Sequence, residues 1–184
     1  MLRESVFLRD NDVPVVCREQ DAAYLRKYGI NVETTLSYWQ PKHLFGGEIM
    51  AVPAQHGHGW IHKLMANGAG FYLQLPGEPS IYVSGDTVYT KAVERVLTEL
   101  RPDIAVLAAG SASLDVGGPI LMPLEEIEMF ARAAPGKVIA NHLEALNHCP
   151  TTRSQLRQML EDKNLLSETF IPNDGESLNI EAMT

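Results

Sequence analysis

Three residues that could bind a metal ion or transfer a proton each follow an apolar run in the sequence. Asp86 comes after the run at residues 80–84, and His56 and His142 come after two similar runs. Apolar runs and alternations of this length predict buried strands. In open α/β sheets, ligands bind at the carboxyl ends of the strands. We therefore expect the three side chains to share one edge of a sheet.

Each of the three residues also has a simpler structural interpretation. A single Asp after a strand is usually a turn or helix-cap residue, and a single histidine at a strand end is more often structural. Their recurrence in one kind of position favours a common site. Imidazole and carboxylate are suitable ligands for zinc, manganese or iron. We predict that the ligand atoms of His56, Asp86 and His142 converge to within about 5–6 Å of a common point.

The elements that position these residues alternate between strand and helix patterns, which predicts an α/β fold with helices layered over a mixed sheet. Gly29 is predicted to end a helix in the left-handed conformation, and Gly46-Gly47 to form a hairpin turn. Predicted strands cover 13–17, 48–54, 71–75, 80–84, 103–108 and 137–140, with an edge strand within 30–40 and a terminal strand at 177–180. Predicted helices cover 2–9, 21–28 and 88–100, and two more begin at Pro123 and at Thr151 or Thr152.

Length and composition limit the class of protein. A chain of 184 residues with 45% hydrophobic residues suits one domain with a buried core. A net charge of −8 disfavours electrostatic binding to nucleic acid or to anionic membranes. Two cysteines without a framework pattern, no apolar signal core and no long apolar run predict a cytoplasmic protein that does not span a membrane.

The order of three short motifs resembles the metallo-β-lactamase superfamily of hydrolases. The motifs are Ala-Gln-His-Gly at 54–57, Tyr-Val-Ser-Gly-Asp-Thr at 82–87 and Ala-Asn-His at 140–142. Segments 117–122 and 141–149 resemble its lactonase-like branch, which is related to ascorbate-6-phosphate lactonase. The resemblance covers nearly all of the chain from about residue 13. It implies an αβ/βα sandwich that binds one or two metals, usually zinc and sometimes manganese or iron. Metal-activated water then attacks an ester, lactone, amide or phosphoester.

The same resemblance implies a role for each site residue. His56 would be the third histidine of the first metal site, Asp86 the carboxylate that bridges both metals, and His142 the histidine of the second site. Asp86 would thereby also be catalytic. His148 would be a catalytic residue at the edge of the site, and the alternative for His148 is a structural role at a helix entry.

One departure from the superfamily pattern is large. The defining His-x-His-x-Asp-His motif is absent, and the first histidine of the chain is His43. Residues 1–184 are therefore expected to form one partial, N-terminally truncated domain with weak metal retention and little hydrolase activity on a small-molecule substrate. We also expect an exposed apolar sheet face that a homo-oligomer covers. The alternative function is an inactive fragment that acts as a metal-binding or oligomer-forming module.

Five other residues have weaker claims to the site. His58 and His62 could touch a substrate, but we expect them to be solvated loop residues. Cys149 is expected to be a small buried thiol rather than a metal ligand. Trp39 and Trp60 are expected to pack against apolar neighbours rather than to form a substrate platform.

Overall fold

The computed structural model describes residues 2–66, 68–144 and 149–179, with side chains from residue 6 onward. The helices are α1 (Leu2–Asp10), α2 (Glu19–Lys27), α3 (Lys91–Arg95), α4 (Leu124–Ala133) and α5 (Arg153–Asp162). The strands are β1 (Val15–Arg18), β2 (Val32–Leu36), β3 (Lys42–Leu44), β4 (Gly47–Pro53), β5 (Ala69–Gln74), β6 (Ile81–Val83), β7 (Ile104–Ala108), β8 (Ser113–Leu114), β9 (Gly118–Pro119), β10 (Lys137–Asn141) and β11 (Thr169–Phe170). No helix in these ranges is long and apolar enough to cross a membrane.

A mixed sheet of seven strands forms the centre of the fold, in the order β11-β10-β7-β6-β5-β4-β3. Its strands β6, β7, β10 and β11 are parallel, whereas β3, β4 and β5 join the sheet as antiparallel neighbours. Strands β1 and β2 form a separate parallel pair, which an isolated bridge between Tyr38 and Ala51 links to β4. The predicted α/β class with a mixed sheet is confirmed.

One face of the sheet carries the main core. Tyr82, Ala105 and Val138 are neighbours across three strands, and each is almost completely buried. Apolar side chains from the helical segments complete this core, among them Val93, Leu97, Phe130, Leu156 and Leu160. Burying a large apolar side chain contributes about 1.5–3 kcal/mol. Helices α3, α4 and α5 therefore dock on this face because their apolar stripes meet an apolar row of the sheet.

The opposite face of the same strands is apolar but incompletely buried. Phe71, Val83, Val106 and Ile139 are neighbours in one row of the ladder, on the side opposite Tyr82. All four keep some solvent exposure, and Val83 is 39% exposed. The central strands thus have one closely packed face and one face whose apolar side chains remain accessible.

Three local predictions about helix ends and turns are confirmed, one of them displaced by one residue. Gly29 follows α2 with a φ of +76°, and Thr152 caps α5 in a reciprocal capping box with Gln155. The predicted hairpin turn joins β3 to β4, but its left-handed residues are Phe45 and Gly46, one position earlier than expected.

Two predicted elements differ from the structure. The helix expected at 88–100 begins only at Lys91, because Thr90 caps it, and it continues as a π-helical turn over Val96–Leu100. The strand expected at 177–180 is wrong where it can be compared, since residues 177–179 form no strand and residue 180 lies outside the described residues. The last described strand is instead β11, and Pro172, which has no N–H to donate, follows it closely.

A polar contact joins the beginnings of β6 and β7 and predicts a pH dependence. Asp103 Oδ2 accepts hydrogen bonds from the Ser80 N–H at 2.8 Å and the Ser80 hydroxyl at 2.7 Å, and these bonds lower the pKa of Asp103. Because the pKa of Asp103 is lower in the folded chain than in the unfolded chain, its carboxylate stabilises the fold at pH values above the ordinary Asp pKa of about 3.9. This stabilisation is lost as the pH falls through the folded-state value.

We therefore expect Asp103→Asn to lower the free energy of unfolding at neutral pH, with a difference from wild type that shrinks in acid. Urea unfolding at a series of pH values measures this difference. Asp115→Asn, at an exposed position on the β8–β9 connection, is the matched control and should change stability little. If the difference in unfolding free energy between wild type and Asp103→Asn stays constant from neutral to acid pH, the stabilising role of the Asp103 carboxylate is contradicted.

The expected homo-oligomer stays a prediction, and the apolar sheet face gives it a test. A second copy can cover this face because a two-fold interface uses the same patch on both subunits, and large apolar patches normally find a partner. Light scattering should report a dimer or larger assembly that Val83→Lys converts to monomer. Val116→Lys, at a 74% exposed valine away from this row, should have no effect. A monodisperse wild-type monomer would contradict the expectation.

Candidate metal centre

The structure places the three predicted residues at one edge of the central sheet. His56 follows β4, Asp86 follows β6, and His142 comes directly after β10. Strands β6 and β10 run parallel through β7, and β4 runs in the same direction because two antiparallel pairings separate it from β6. The carboxyl ends of all three strands therefore point to the same edge.

The Asp86 carboxylate lies between the two imidazoles and presents one oxygen to each. Asp86 Oδ2 is 3.6 Å from His56 Nε2, and Asp86 Oδ1 is 3.9 Å from His142 Nε2. The predicted convergence is confirmed. Both distances exceed the usual 2.7–3.2 Å of a direct N–H···O hydrogen bond. Both are also shorter than the sum of two metal–ligand bonds of about 2.0–2.2 Å each.

Backbone hydrogen bonds hold the His56 and Asp86 loops side by side. The Gln55 N–H donates to Thr87 Oγ1 at 3.0 Å, and the Val88 N–H donates to the Gln55 carbonyl at 2.9 Å. One residue next to His56 is thus joined to two residues that follow Asp86. The distance between the imidazole and the carboxylate is fixed by local pairing rather than by apolar packing alone.

A second contact selects the tautomer of His56. Its Nδ1 lies 2.9 Å from the carbonyl oxygen of Ala66. A carbonyl can only accept a hydrogen bond, so Nδ1 carries the proton and the neutral ring keeps its lone pair on Nε2. That lone pair is on the side of Asp86, as a metal-binding histidine requires.

His142 is held in an unusual backbone conformation. Its φ is +57°, in the left-handed region that non-glycine residues rarely adopt. Gly110 lies against it, and a Cβ at position 110 would be 2.3 Å from the His142 carbonyl oxygen and 2.9 Å from Cys149 Cβ. Cys149 Sγ is 3.6 Å from His142 Nδ1, on the side of the ring away from Asp86. Strained residues of this kind persist where the surrounding structure fixes them.

The Asp86 carboxylate and the His56 imidazole shift each other's pKa values. The facing Asp86 carboxylate raises the pKa of His56 against the effect of partial burial. The His56 imidazole in turn lowers the pKa of Asp86, and His142 adds to that effect. Burial raises the pKa of the Cys149 thiol, and the nearby Asp86 charge raises it further, so this thiol stays protonated. Cys149 is a buried packing thiol, as expected.

The ligand types and the His56 tautomer fit a metal ion, but the set is incomplete. Among the described residues, no group of three or more His, Cys, Asp and Glu side chains surrounds a metal position by itself. His56, Asp86 and His142 lie together without forming such a group. His148 lies outside the described residues, so its predicted role at the edge of the site stays a prediction.

Comparison with known proteins agrees with the observed fold. Residues 1–143 match the family described as β-lactamase superfamily domain. The chain belongs to the metallo-β-lactamase superfamily. Over 135 residues it is 34% identical to the UPF0173 protein YddR of Bacillus subtilis (strain 168), which covers 72% of this chain and 53% of that protein. It is 27% identical to a UPF0173 metal-dependent hydrolase of Thermococcus onnurineus (strain NA1), over 90% of this chain and 70% of that protein.

A solved structure has the same superfamily fold. The isothiocyanate hydrolase from Delia radicum gut bacteria aligns with a TM-score of 0.82 and 29% identity, over 92% of this chain and 67% of that one. The expected superfamily membership and fold are thereby confirmed. The chain spans about half the length of the Bacillus relative, at 53%.

The weaker site candidates have mixed outcomes. His58 is 53% exposed, and its Nε2 lies 2.5 Å from Glu126 Oε1; the other oxygen of Glu126 accepts the Tyr89 N–H at 2.6 Å. His62 is half-buried, so the solvated role expected for it is met only in part. Glu126, which joins the loops after His56 and Asp86, had no sequence signal beyond its place in the first turn of α4.

The two tryptophans also differ from each other. Trp39 packs against the main core and lies under the Arg95 guanidinium at 4.4 Å, as expected. The packing role expected for Trp60 is wrong, because its side chain is 56% exposed. Trp60 lies in a loop, where no periodic pattern could have revealed its exposure.

The close contact between Gly110 and the His142 carbonyl predicts that a methyl group added at position 110 disturbs His142. Gly110→Ala should displace the His142 backbone and lower zinc affinity at least about 10-fold, as expected when a metal ligand loses its support. Gly47→Ala is the matched control, since its Cβ would lie 2.1 Å from the Gln74 carbonyl oxygen at the far end of β4. Both variants should be less stable, but only Gly110→Ala should weaken zinc binding in calorimetry. Equal zinc affinity in the two variants would contradict the proposed support of His142.

Proposed function

We propose that this chain supplies part of a metal-dependent hydrolase site, in which His56, Asp86 and His142 bind zinc, manganese or iron. The observation that carries the proposal is the Asp86 carboxylate, which faces an imidazole Nε2 with each of its oxygens. Membership of the metallo-β-lactamase superfamily supports it, and one relative is named a metal-dependent hydrolase.

The residues of this chain have separate tasks in such a site. A bound metal would supply a water nucleophile at neutral pH and would stabilise negative charge that develops on the substrate. His56 offers its Nε2 lone pair because Ala66 holds the proton on Nδ1. Asp86 supplies negative charge between the two histidines, and it can accept a hydrogen bond from the water. His142 adds a second imidazole from the end of β10, on the other side of β7 from β6.

The proposed substrates are small molecules with an electrophilic carbon or phosphorus. Esters, lactones, amides and phosphoesters meet this requirement. So does the isothiocyanate group, which the name of one structural relative specifies. The net charge of −8 disfavours nucleic acid as a substrate. The lactonase-like assignment and the cytoplasmic location are parts of this proposal.

The alternative function is a metal-binding or oligomer-forming module without turnover. It is favoured by the incomplete set of ligands among the described residues and by the absence of His-x-His-x-Asp-His from the sequence. The Bacillus relative and the isothiocyanate hydrolase also contain segments that this chain does not match. We therefore expect weak metal retention and little hydrolysis by these 184 residues alone.

The test separates metal binding from turnover. Calorimetry with zinc and with manganese should report weak binding that Asp86→Asn abolishes and that the control Asp115→Asn leaves unchanged. Hydrolysis is then measured on an aryl isothiocyanate, a sugar lactone and a phosphoester. Metal-dependent turnover that Asp86→Asn removes supports the hydrolase, whereas binding without turnover supports the module. A wild-type chain that neither binds metal nor hydrolyses any of these compounds would overturn both the hydrolase and the metal-binding form of the module.

A further inference from the structure

We propose that Arg18 and Tyr38 are positioning residues for His56, which they hold in its metal-binding orientation through the backbone of the following loop. This inference rests on the proposed function for the role of His56. Arg18 is the last residue of β1 in the small β1–β2 sheet, and Tyr38 lies just after β2, where it bridges to Ala51 of β4. The small sheet would thereby control the geometry of the metal centre.

The contact point is the carbonyl oxygen of Gly68. It accepts hydrogen bonds from the Tyr38 hydroxyl at 2.9 Å, Arg18 Nη1 at 3.3 Å and the Ala54 N–H at 3.3 Å. We call these three donors and their acceptor the Gly68 anchor. Ala54 directly follows β4, and Gly68 directly precedes β5. The anchor therefore joins the beginning of the β4–β5 connection, which contains His56, to its end.

Arg18 is itself rigidly held. Its Nε and Nη2 donate to the two carboxylate oxygens of Asp21 at 2.6 and 2.9 Å, and Nη1 donates to the Tyr38 hydroxyl oxygen at 2.8 Å. The Arg18 side chain is 13% exposed. A two-pronged bond between guanidinium and carboxylate fixes the plane of the guanidinium as well as its position. The hydroxyl of Tyr38 is therefore aimed at Gly68 by a group that has little freedom to move.

The anchor reaches the imidazole through a short stretch of backbone. The Ala66 carbonyl accepts a hydrogen bond from the His56 Nδ1–H, with 2.9 Å between the nitrogen and the oxygen. Ala66 is two residues from Gly68 in the sequence. Two residues span at most about 7 Å, so fixing Gly68 confines the Ala66 carbonyl to a small volume. If the anchor loosens, the Ala66 carbonyl loses its alignment with Nδ1. The proton of the neutral ring can then move to Nε2, which is the atom that must bind metal.

A single hydroxyl provides the test. Tyr38→Phe keeps the ring but removes the group that donates to Gly68 and accepts from Arg18. We expect zinc affinity to fall about 10-fold. We also expect nitrogen NMR of the metal-free protein, above the imidazole pKa, to show a larger share of the Nε2–H tautomer at His56. Tyr24→Phe removes a hydroxyl from an exposed tyrosine on α2 and should change neither quantity.

The outcomes distinguish positioning from general stabilisation. If Tyr38→Phe lowers the melting temperature but keeps the wild-type His56 tautomer and zinc affinity, the anchor is only structural and the inference is overturned. If the wild-type chain binds no metal, the proposed function fails, but the tautomer shift in metal-free protein still tests the positioning. If Tyr38→Phe does not fold, Arg18→Lys replaces it. That variant keeps the charge, loses the fork to Asp21, and should produce the same tautomer shift.

Discussion

The structure of the site depends on one carboxylate held between two imidazoles. Asp86 lies 3.6 Å from His56 Nε2 and 3.9 Å from His142 Nε2, with its side chain 45% exposed. The His56 imidazole and the Asp86 carboxylate shift each other's pKa in opposite directions: the pKa of His56 is raised and that of Asp86 is lowered. Such an arrangement survives only if the backbone on each side prevents the groups from moving apart.

Each neighbour of Asp86 is restrained in a different way. The His56 loop is joined to the Asp86 loop through Gln55, and its imidazole is oriented by the Ala66 carbonyl. His142 is restrained by steric contact, because its left-handed backbone leaves room only for a glycine at position 110. The core determines where the strands end, whereas these polar and steric contacts determine where the ligand atoms lie. The two sets of interactions are separable, so a variant can lose the site and keep the fold.

The sequence predicted the strand ends well because apolar alternation determines which segments enter the sheet. Three strands that run in one direction then place His56, Asp86 and His142 together without any knowledge of the loops. The supporting residues were not predictable in the same way. Tyr38 and Gly68 are 30 residues apart, and His58 and Glu126 are 68 apart, so no periodic pattern links either pair. The strand predicted at 177–180 is absent at residues 177–179, because an apolar alternation alone does not determine whether a segment pairs with a sheet.

The open face of the sheet and the candidate site are also physically connected. Val83, which is accessible on that face, lies three residues before Asp86 on the same strand and turn. If a surface that covers Val83 also extended over Asp86, it would exclude water there and lower the local dielectric constant. Attraction between Asp86 and a cation, or between Asp86 and a charged imidazole, becomes stronger in such an environment. The electrostatic interactions of Asp86 in the candidate site would then depend on the state of the sheet face beside it as well as on the neighbouring imidazoles.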